Sequence, residues 1–289
     1  MHEIEKIKKL REEIPQLCHA SNIVKKYYGK NLKAKEKNGL NNITEAYYSY
    51  LTKMLKITAF DEKALKKKVN LLNEYYNFFY NNGYDNLFSS QGKFRPTILE
   101  EFIFLLFKDY VSESKNMYDS KDSLSSGSVK AYTNLFFKPK SFENFIKKAE
   151  IGINEKDQDY AIYRTFDLAI DDKNMKKKVR VPAVAIEVKT YIDKTMLDTI
   201  IATAEKLKSG NPYTFFVAVA EWYDVSTDVD PSYSRIDQIY ILRKGKRKDD
   251  SREPISSDVV LRLFNETKKH LEKPWSDVKH RLEDEGVIL

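Results

Sequence analysis

Residues 183–189 read Ala183-Val184-Ala185-Ile186-Glu187-Val188-Lys189, an apolar run interrupted by two charges. Period-two alternation puts Ala183, Ala185, Glu187 and Lys189 on one face of a strand and Val184, Ile186 and Val188 on the other. One face is core; the other is a floor of small residues bearing a carboxylate and an ammonium. The preceding run, Tyr160 to Ile170, repeats the pattern, with Thr165, Asp167 and Ala169 opposite Phe166, Leu168 and Ile170. Both runs are short, hold β-branched and small residues, and are bounded by Asp171-Asp172-Lys173-Asn174 and Pro182, so they are expected to pair as neighbouring antiparallel strands. A turn spanning 171–180 leaves their offset open. A register that brings Asp167 near Glu187 collects two carboxylates and a lysine at the sheet surface.

Working toward the C-terminus, Asp193 is placed to cap a helix through Met196, Leu197, Ile200, Ala204 and Leu207 that ends at Ser209-Gly210-Asn211-Pro212. Thr214 to Ala220 is apolar on both faces and is expected to be a central strand. Arg235 to Leu242 supplies a fourth strand, and helix returns from Pro254. Toward the N-terminus, Pro96 to Phe107 reads as a buried helix and Ser112 to Ser128 as a polar surface loop. From Ile4 to Tyr80 the apolar residues recur at three and four, predicting several helices with a charged loop at Gly29–Gly39. Turn formers at 81–83 and 89–92 place a boundary there. The expectation is a helical region over 1–92, followed over 93–289 by a mixed central sheet flanked by helices, an α+β or α/β fold.

The chain has 289 residues, 42 % hydrophobic and 13 % aromatic, enough to bury a large core and to exclude disorder. Its net charge of +7 is uneven: residues 1–92 carry 16 Lys and Arg against 10 Asp and Glu, and the rest 34 against 33. A single cysteine, Cys18, excludes an intramolecular disulfide framework and multi-cysteine zinc sites. Met1 to Leu10 is charged, and no later stretch has the apolar length of a membrane span. Cytoplasm is the expected compartment, with no membrane partner. Phosphate-binding Gly-rich loops, HExxH, GxSxG and zinc spacings are absent. The four histidines, at 2, 19, 270 and 280, are scattered. Carboxylates are left to carry chemistry.

Glu-x-Lys occurs at 113/115, 187/189 and 266/268, and context alone separates them: the first lies in a polar stretch, the last in an exposed helical one, the middle pair in a buried strand. Oxygen ligands from one or two carboxylates with open water positions suit Mg²⁺, commonly shared with a phosphate ligand. The alternative is an ordinary cross-strand ion pair. The run Asp167 … Ile186-Glu187-Val188-Lys189-Thr190 resembles the active-site signature of the PD-(D/E)XK nuclease superfamily. The stretch Ile186 to Ile200 looks most like its type II restriction endonucleases, including BbvCI-like enzymes that use two related subunits on an asymmetric site. The resemblance implies Mg²⁺-dependent endonucleolytic cleavage of double-stranded DNA leaving 5′-phosphates, Asp167 and Glu187 as metal ligands, Lys189 as the catalytic lysine, and a homodimer or a heterodimer with a related subunit. Thr165-Phe166 stands where a proline often precedes the Asp.

Many members of that superfamily also carry a carboxylate on a helix before the first strand. Glu100 and Glu101 are the candidates; Glu100 shares its stripe with Phe104, Phe107 and Val111, where a carboxylate needs a partner, and is the preferred third ligand. A first-turn Glu favoured by the helix dipole accounts equally for either. The basic runs are Lys25, Lys26, Lys30, Lys33, Lys35 and Lys37; Lys66 to Lys68; Lys176 to Lys178 with Arg180; and Arg243 to Lys248. Phosphate contact is the functional reading, strongest for 176–180 beside the site; a solvated lysine surface is the plain one. The helical tyrosines (Tyr47, Tyr48, Tyr50, Tyr75, Tyr76) are expected in the core more than on bases. A repair or recombination nuclease and a non-catalytic DNA-binding partner subunit are the competing readings.

Overall fold

The computed structural model describes residues 3–29, 32–88, 94–117, 124–148, 150–170, 175–244, 253–273, 275 and 278–286. Helices α1 (Glu3–Glu13), α2 (Cys18–Tyr27), α3 (Ala34–Leu55), α4 (Glu62–Asn81) and α5 (Arg95–Met117) precede the first strand. Then follow β1 (Leu124–Lys138), α6 (Phe142–Lys148), β2 (Glu150–Ile170), β3 (Met175–Ile192), α7 (Lys194–Gly210), β4 (Phe215–Tyr223), β5 (Gln238–Ile241) and α8 (Ser257–Glu272). The strands form one five-stranded sheet in the order β1-β2-β3-β4-β5. β1, β2 and β3 pair antiparallel; β4 joins β3, and β5 joins β4, in parallel. This is the mixed, helix-flanked sheet with an N-terminal helical region expected from the sequence.

Alternation on the strands explains the layers. Tyr160, Ile162, Val184, Ile186, Val188, Val217 and Val219 face the large core shared with α5 and the other N-terminal helices. Ala161, Ala185, Ala218 and Ala220 make the opposite face, small enough for α7 to seat Leu197, Ile200, Ala204 and Leu207 closely on it. Asp193 caps α7, its Oδ1 accepting from Met196 N at 2.8 Å. At the other end Gly210 packs on β1, where a Cβ would meet the Thr133 carbonyl oxygen at 1.9 Å. Because that obstacle is backbone, Gly210→Ala is expected to cost about 1–3 kcal/mol, seen as a lower urea midpoint with unchanged slope.

Three expectations are corrected. Of Ser112–Ser128, α5 takes the residues to Met117 and β1 begins at Leu124; Ser125, Ser126 and Gly127 pair with Tyr163, Ile162 and Ala161, so ladder bonding overrides their turn composition. Of Gly29–Gly39, α3 takes everything from Ala34, started by Glu36 Oε2 accepting from Lys33 N at 2.8 Å. Residues 176–180 are not a loop: β3 starts at Met175, leaving residues 171–174 between the strands.

The boundary set near residue 92 falls among residues 89–93, outside those described. The apolar core is continuous from Ile4 through Phe79 and Phe107 to Phe264. Two polar ties reinforce it. Asn73 on α4 exchanges two hydrogen bonds with the Ile255 backbone, at 3.0 and 2.8 Å. On β4, the fully buried Glu221 takes Arg95 Nε and Nη2 at 2.9 and 2.7 Å, Arg243 Nε at 2.8 Å, and Tyr76 Oη at 3.3 Å. Both guanidinium groups also lie over the Tyr76 and Tyr80 rings.

Candidate active site

The β2–β3 ladder ends with Tyr160 opposite Ile186, and beyond that pair the strands fork. Asp159 fills the fork: its Oδ2 accepts from Val188 N at 2.8 Å, standing in for a ladder carbonyl, and from Lys189 Nζ at 3.1 Å. Lys189 Nζ also donates to Glu187 Oε2 at 2.8 Å. One ammonium therefore bridges two carboxylates on the small-residue face. Gln158, buried at the same place, lies 3.4 Å through its Nε2 from Glu187 Oε1, while its own Oε1 is buried without a partner.

Glu100 completes the group from α5. Burial, then the Asp159 carboxylate, push its carboxyl up to about 7, while Lys189 and the Cys18 thiol work the other way. Burial and Asp159 also raise Glu187. Burial works to lower Lys189, but Asp159 and Glu187 outweigh it and hold the ammonium charged. Three carboxyl groups thus crowd Lys189, with Lys156 also drawing Glu187 toward its charged form. The Cys18 thiol is pushed far up by burial, then by Glu101 and Glu100, and supplies no thiolate.

Glu101 does different work. It is buried, with Oε2 accepting from His19 N and Ala20 N at 2.9 and 3.1 Å, the unsatisfied N–H groups at the start of α2, and Oε1 accepting from Tyr47 Oη at 2.7 Å. Successive residues on one helix therefore face opposite tasks, and Glu100 is the one beside the sheet carboxylates.

Asp167 does not join Glu187. It stands opposite Lys178, eight residues beyond Asp159 on β2, and is exposed. The parity inferred from the sequence holds, since Asp159 and Asp167 belong to the same alternating set. The offset does not, because four residues rather than ten separate the strands, and Ala183 is bulged out between Pro182 and Val184. Asp159 was missed because β2 begins at Glu150, not Tyr160. The available signal was the alternation itself, which continues backward from Ala161 to Asp159.

Asp159 and Glu187 are hard oxygen donors, and Glu100 is a third whose charge reaches them. Among the described residues no group of three or more His, Cys, Asp or Glu already stands in metal-ligating geometry. A cation here would take two protein carboxylates and complete its shell with water and substrate oxygen, the habit of Mg²⁺. The orphaned Gln158 Oε1 offers an acceptor for such a water.

The basic runs divide. Lys68 is buried, donating to Leu105 O at 2.9 Å and Asp109 Oδ2 at 3.2 Å, and Arg243 is buried on Glu221, so neither meets phosphate. Lys25, Lys33, Lys35, Lys37, Lys66 and Lys67 are exposed. On β3, Lys178 is exposed, Lys177 Nζ donates to Ile151 O at 2.8 Å, and Arg180 lies 3.7 Å from Glu155. Lys30, residues 245–248 and the Lys176 side chain lie outside the described residues. Tyr47, Tyr50, Tyr75 and Tyr76 are core. Among the described residues no helix is long and apolar enough to cross a membrane.

No curated protein sequence matches the chain. Among solved structures, a chain of the native BbvCI A2B2 tetramer is similar with a TM-score of 0.69 and 21 % identity, over 89 % of this chain and 96 % of that one, a likeness of fold. A family model described as Bpu10I restriction endonuclease matches residues 91–253, more than half of the sequence and a span holding Glu100, Asp159, Glu187 and Lys189. The chain belongs to the Bpu10I restriction endonuclease family.

Proposed function

We propose that the protein is a type II restriction endonuclease, or one subunit of one, hydrolysing double-stranded DNA at a specific sequence with Mg²⁺ and leaving 5′-phosphates. The observation that carries this reading is the convergence of Asp159, Glu187 and Lys189 at the strand fork with Glu100 beside them. Asp159 replaces Asp167 as the ligand on the first strand. Glu187 and Asp159 hold the cation, with Glu100 as a third carboxylate.

When bound, Mg²⁺ supplies Lewis-acid activation of the phosphodiester and of water. Lys189, held charged by its two carboxylates, orients the attacking water and stabilises charge growing on the phosphoryl oxygens. Water adds to phosphorus and releases a proton to solvent as the P–O3′ bond breaks, and the departing O3′ takes a proton from solvent. Phosphate grip falls to the exposed Lys178 and to the exposed lysines of α2 and α3, so binding weakens with salt. Each site cuts one strand, so duplex cleavage needs a second copy or a related subunit.

The test is digestion of a plasmid of known sequence with end mapping. With Mg²⁺ the wild type is expected to give discrete fragments bearing 5′-phosphates, and EDTA to abolish them. Glu187→Ala and Lys189→Ala are each expected to lower the rate about 10²–10³-fold or more. Undiminished cutting by these variants sinks the reading. Salt-dependent DNA binding without metal-dependent nicking would instead identify a non-catalytic subunit.

A further inference from the structure

Between the pairs Gly127–Ala161 and Val129–Gln158, two residues of β2 stand against one of β1, a β-bulge at Asp159-Tyr160. Beyond the bulge the ladder runs unbroken through Val129–Gln158 and Ala131–Lys156. Paired residues of antiparallel strands share a face, and Val129 and Ala131 belong to the small-residue core that also holds Ala161 and Ala185. Gln158 and Lys156 therefore stand on the face of Glu187 and Lys189, although strict alternation from Asp159 and Ala161 would turn them away. The 3.4 Å separation of Gln158 Nε2 from Glu187 Oε1 is the direct result. Lys156 follows one pleat farther along, past the point where β3 leaves the ladder at Tyr160–Ile186.

Lys156 is partly buried, and among the described residues its ammonium makes no hydrogen bond or ion pair. Its sequence neighbours Glu155 and Asp157 alternate to the other face, where Arg180 lies 3.7 Å from Glu155, and its cross-strand partner is the apolar Ala131. Its charge nonetheless reaches Glu187 and favours the ionised carboxylate. Lys189, by contrast, is engaged twice, donating to Asp159 at 3.1 Å and to Glu187 at 2.8 Å. An ammonium held partly out of water with no counter-ion is poorly satisfied, and the anion that cleavage would bring to this face is a DNA phosphate. Given the nuclease reading of Asp159, Glu187 and Lys189, on which the inference rests, we propose that Lys156 is a second catalytic lysine, its ammonium donating to a non-bridging oxygen of the scissile phosphate. That donor offsets the charge growing on the phosphoryl oxygens, where the site's own carboxylates face an anionic substrate. Lys189 is then left chiefly to the attacking water.

The test is single-turnover cleavage of a duplex carrying the mapped site, at saturating protein and Mg²⁺. Lys156→Gln is expected to cut about 10²-fold more slowly than wild type, with DNA affinity reduced far less, and Lys156→Arg to recover most of the rate. Lys130→Gln, across the same ladder on the opposite face, is expected to cut at the wild-type rate. Lys156→Gln is expected to melt no lower than wild type, because the ammonium has no partner to lose. Sulfur at one non-bridging oxygen of the scissile phosphate, in separate Rp and Sp substrates, gives a second readout: one diastereomer slows wild type by a factor that shrinks in Lys156→Gln. Undiminished cutting by Lys156→Gln, a rate for Lys156→Arg no better than for Lys156→Gln, or sulfur effects identical in the two proteins would overturn the inference. So would a rate restored by more Mg²⁺, which would confine Lys156 to keeping Glu187 charged. A wild type without Mg²⁺-dependent cutting brings down the nuclease reading and this inference together. A wild type that cuts, matched by Lys156→Gln, brings down this inference alone.

Discussion

Asp159→Asn is expected to lower plasmid cleavage by at least about 10²–10³-fold, while Asp167→Asn leaves it unchanged. Asparagine keeps the volume of Asp159 and an oxygen for Val188 N, but removes the charge that faces Lys189 at 3.1 Å. The site then loses a hard ligand and half of what holds the lysine in place. Asp167 stands across the ladder from Lys178 in an exposed part of the hairpin, where neutralisation reaches no group of the site. Rates measured side by side with Mg²⁺, with folding checked by circular dichroism, separate the two carboxylates. Loss at Asp167 with activity kept at Asp159 would reinstate the register expected from sequence.

The largest expected effect on stability is at Glu221. Glu221→Ala leaves Arg95 and Arg243 beside each other without their shared carboxylate, Arg243 fully buried and with its Nη2 already unpartnered. Breaking a buried pair from one side costs about 3–5 kcal/mol, a large part of what holds a domain folded. Burial works to raise the Glu221 pKa, but the hydrogen bonds and charges of Arg95 and Arg243 outweigh it and keep it below the ordinary carboxylate value of 4.5. A lowered folded-state pKa stabilises the protein above the unfolded value and loses that contribution as pH falls through the folded one. Melting curves should therefore show the deficit of the variant in full at neutral pH and shrinking below about pH 4.5. A deficit independent of pH down to acid unfolding would deny the ion pairing its role.

Alternation, capping and the apolar run at 214–220 were legible because each depends on neighbours a few residues away. They placed Glu187, Lys189, the cap at Asp193 and the interior position of β4. Glu100 was preferred over Glu101 because of its apolar stripe, and it does lie beside the sheet carboxylates. The reason Glu101 is occupied elsewhere was invisible, since its partners, the His19 and Ala20 amides, lie some eighty residues away. The Asp167 register failed for a related reason: hairpin offset depends on where the turn begins, and lysine-rich residues 176–178 look like turn material although they belong to β3. β1 escaped notice because its serines and glycine gain their extended form from pairing with β2.

The opposed duties of Glu100 and Glu101 bear on how this scaffold can be cut and rebuilt. A single turn of α5 holds the start of α2 through Glu101 and brings Glu100 within electrostatic reach of the sheet carboxylates. A fragment beginning near residue 93 would keep every proposed catalytic side chain, yet strip Glu101 of its amide partners and expose Phe102, Leu105 and Leu106. For engineering, the sheet with its proposed catalytic side chains is therefore not a portable cassette. Chimeras built on this fold should carry α1 to α4 along with the sheet.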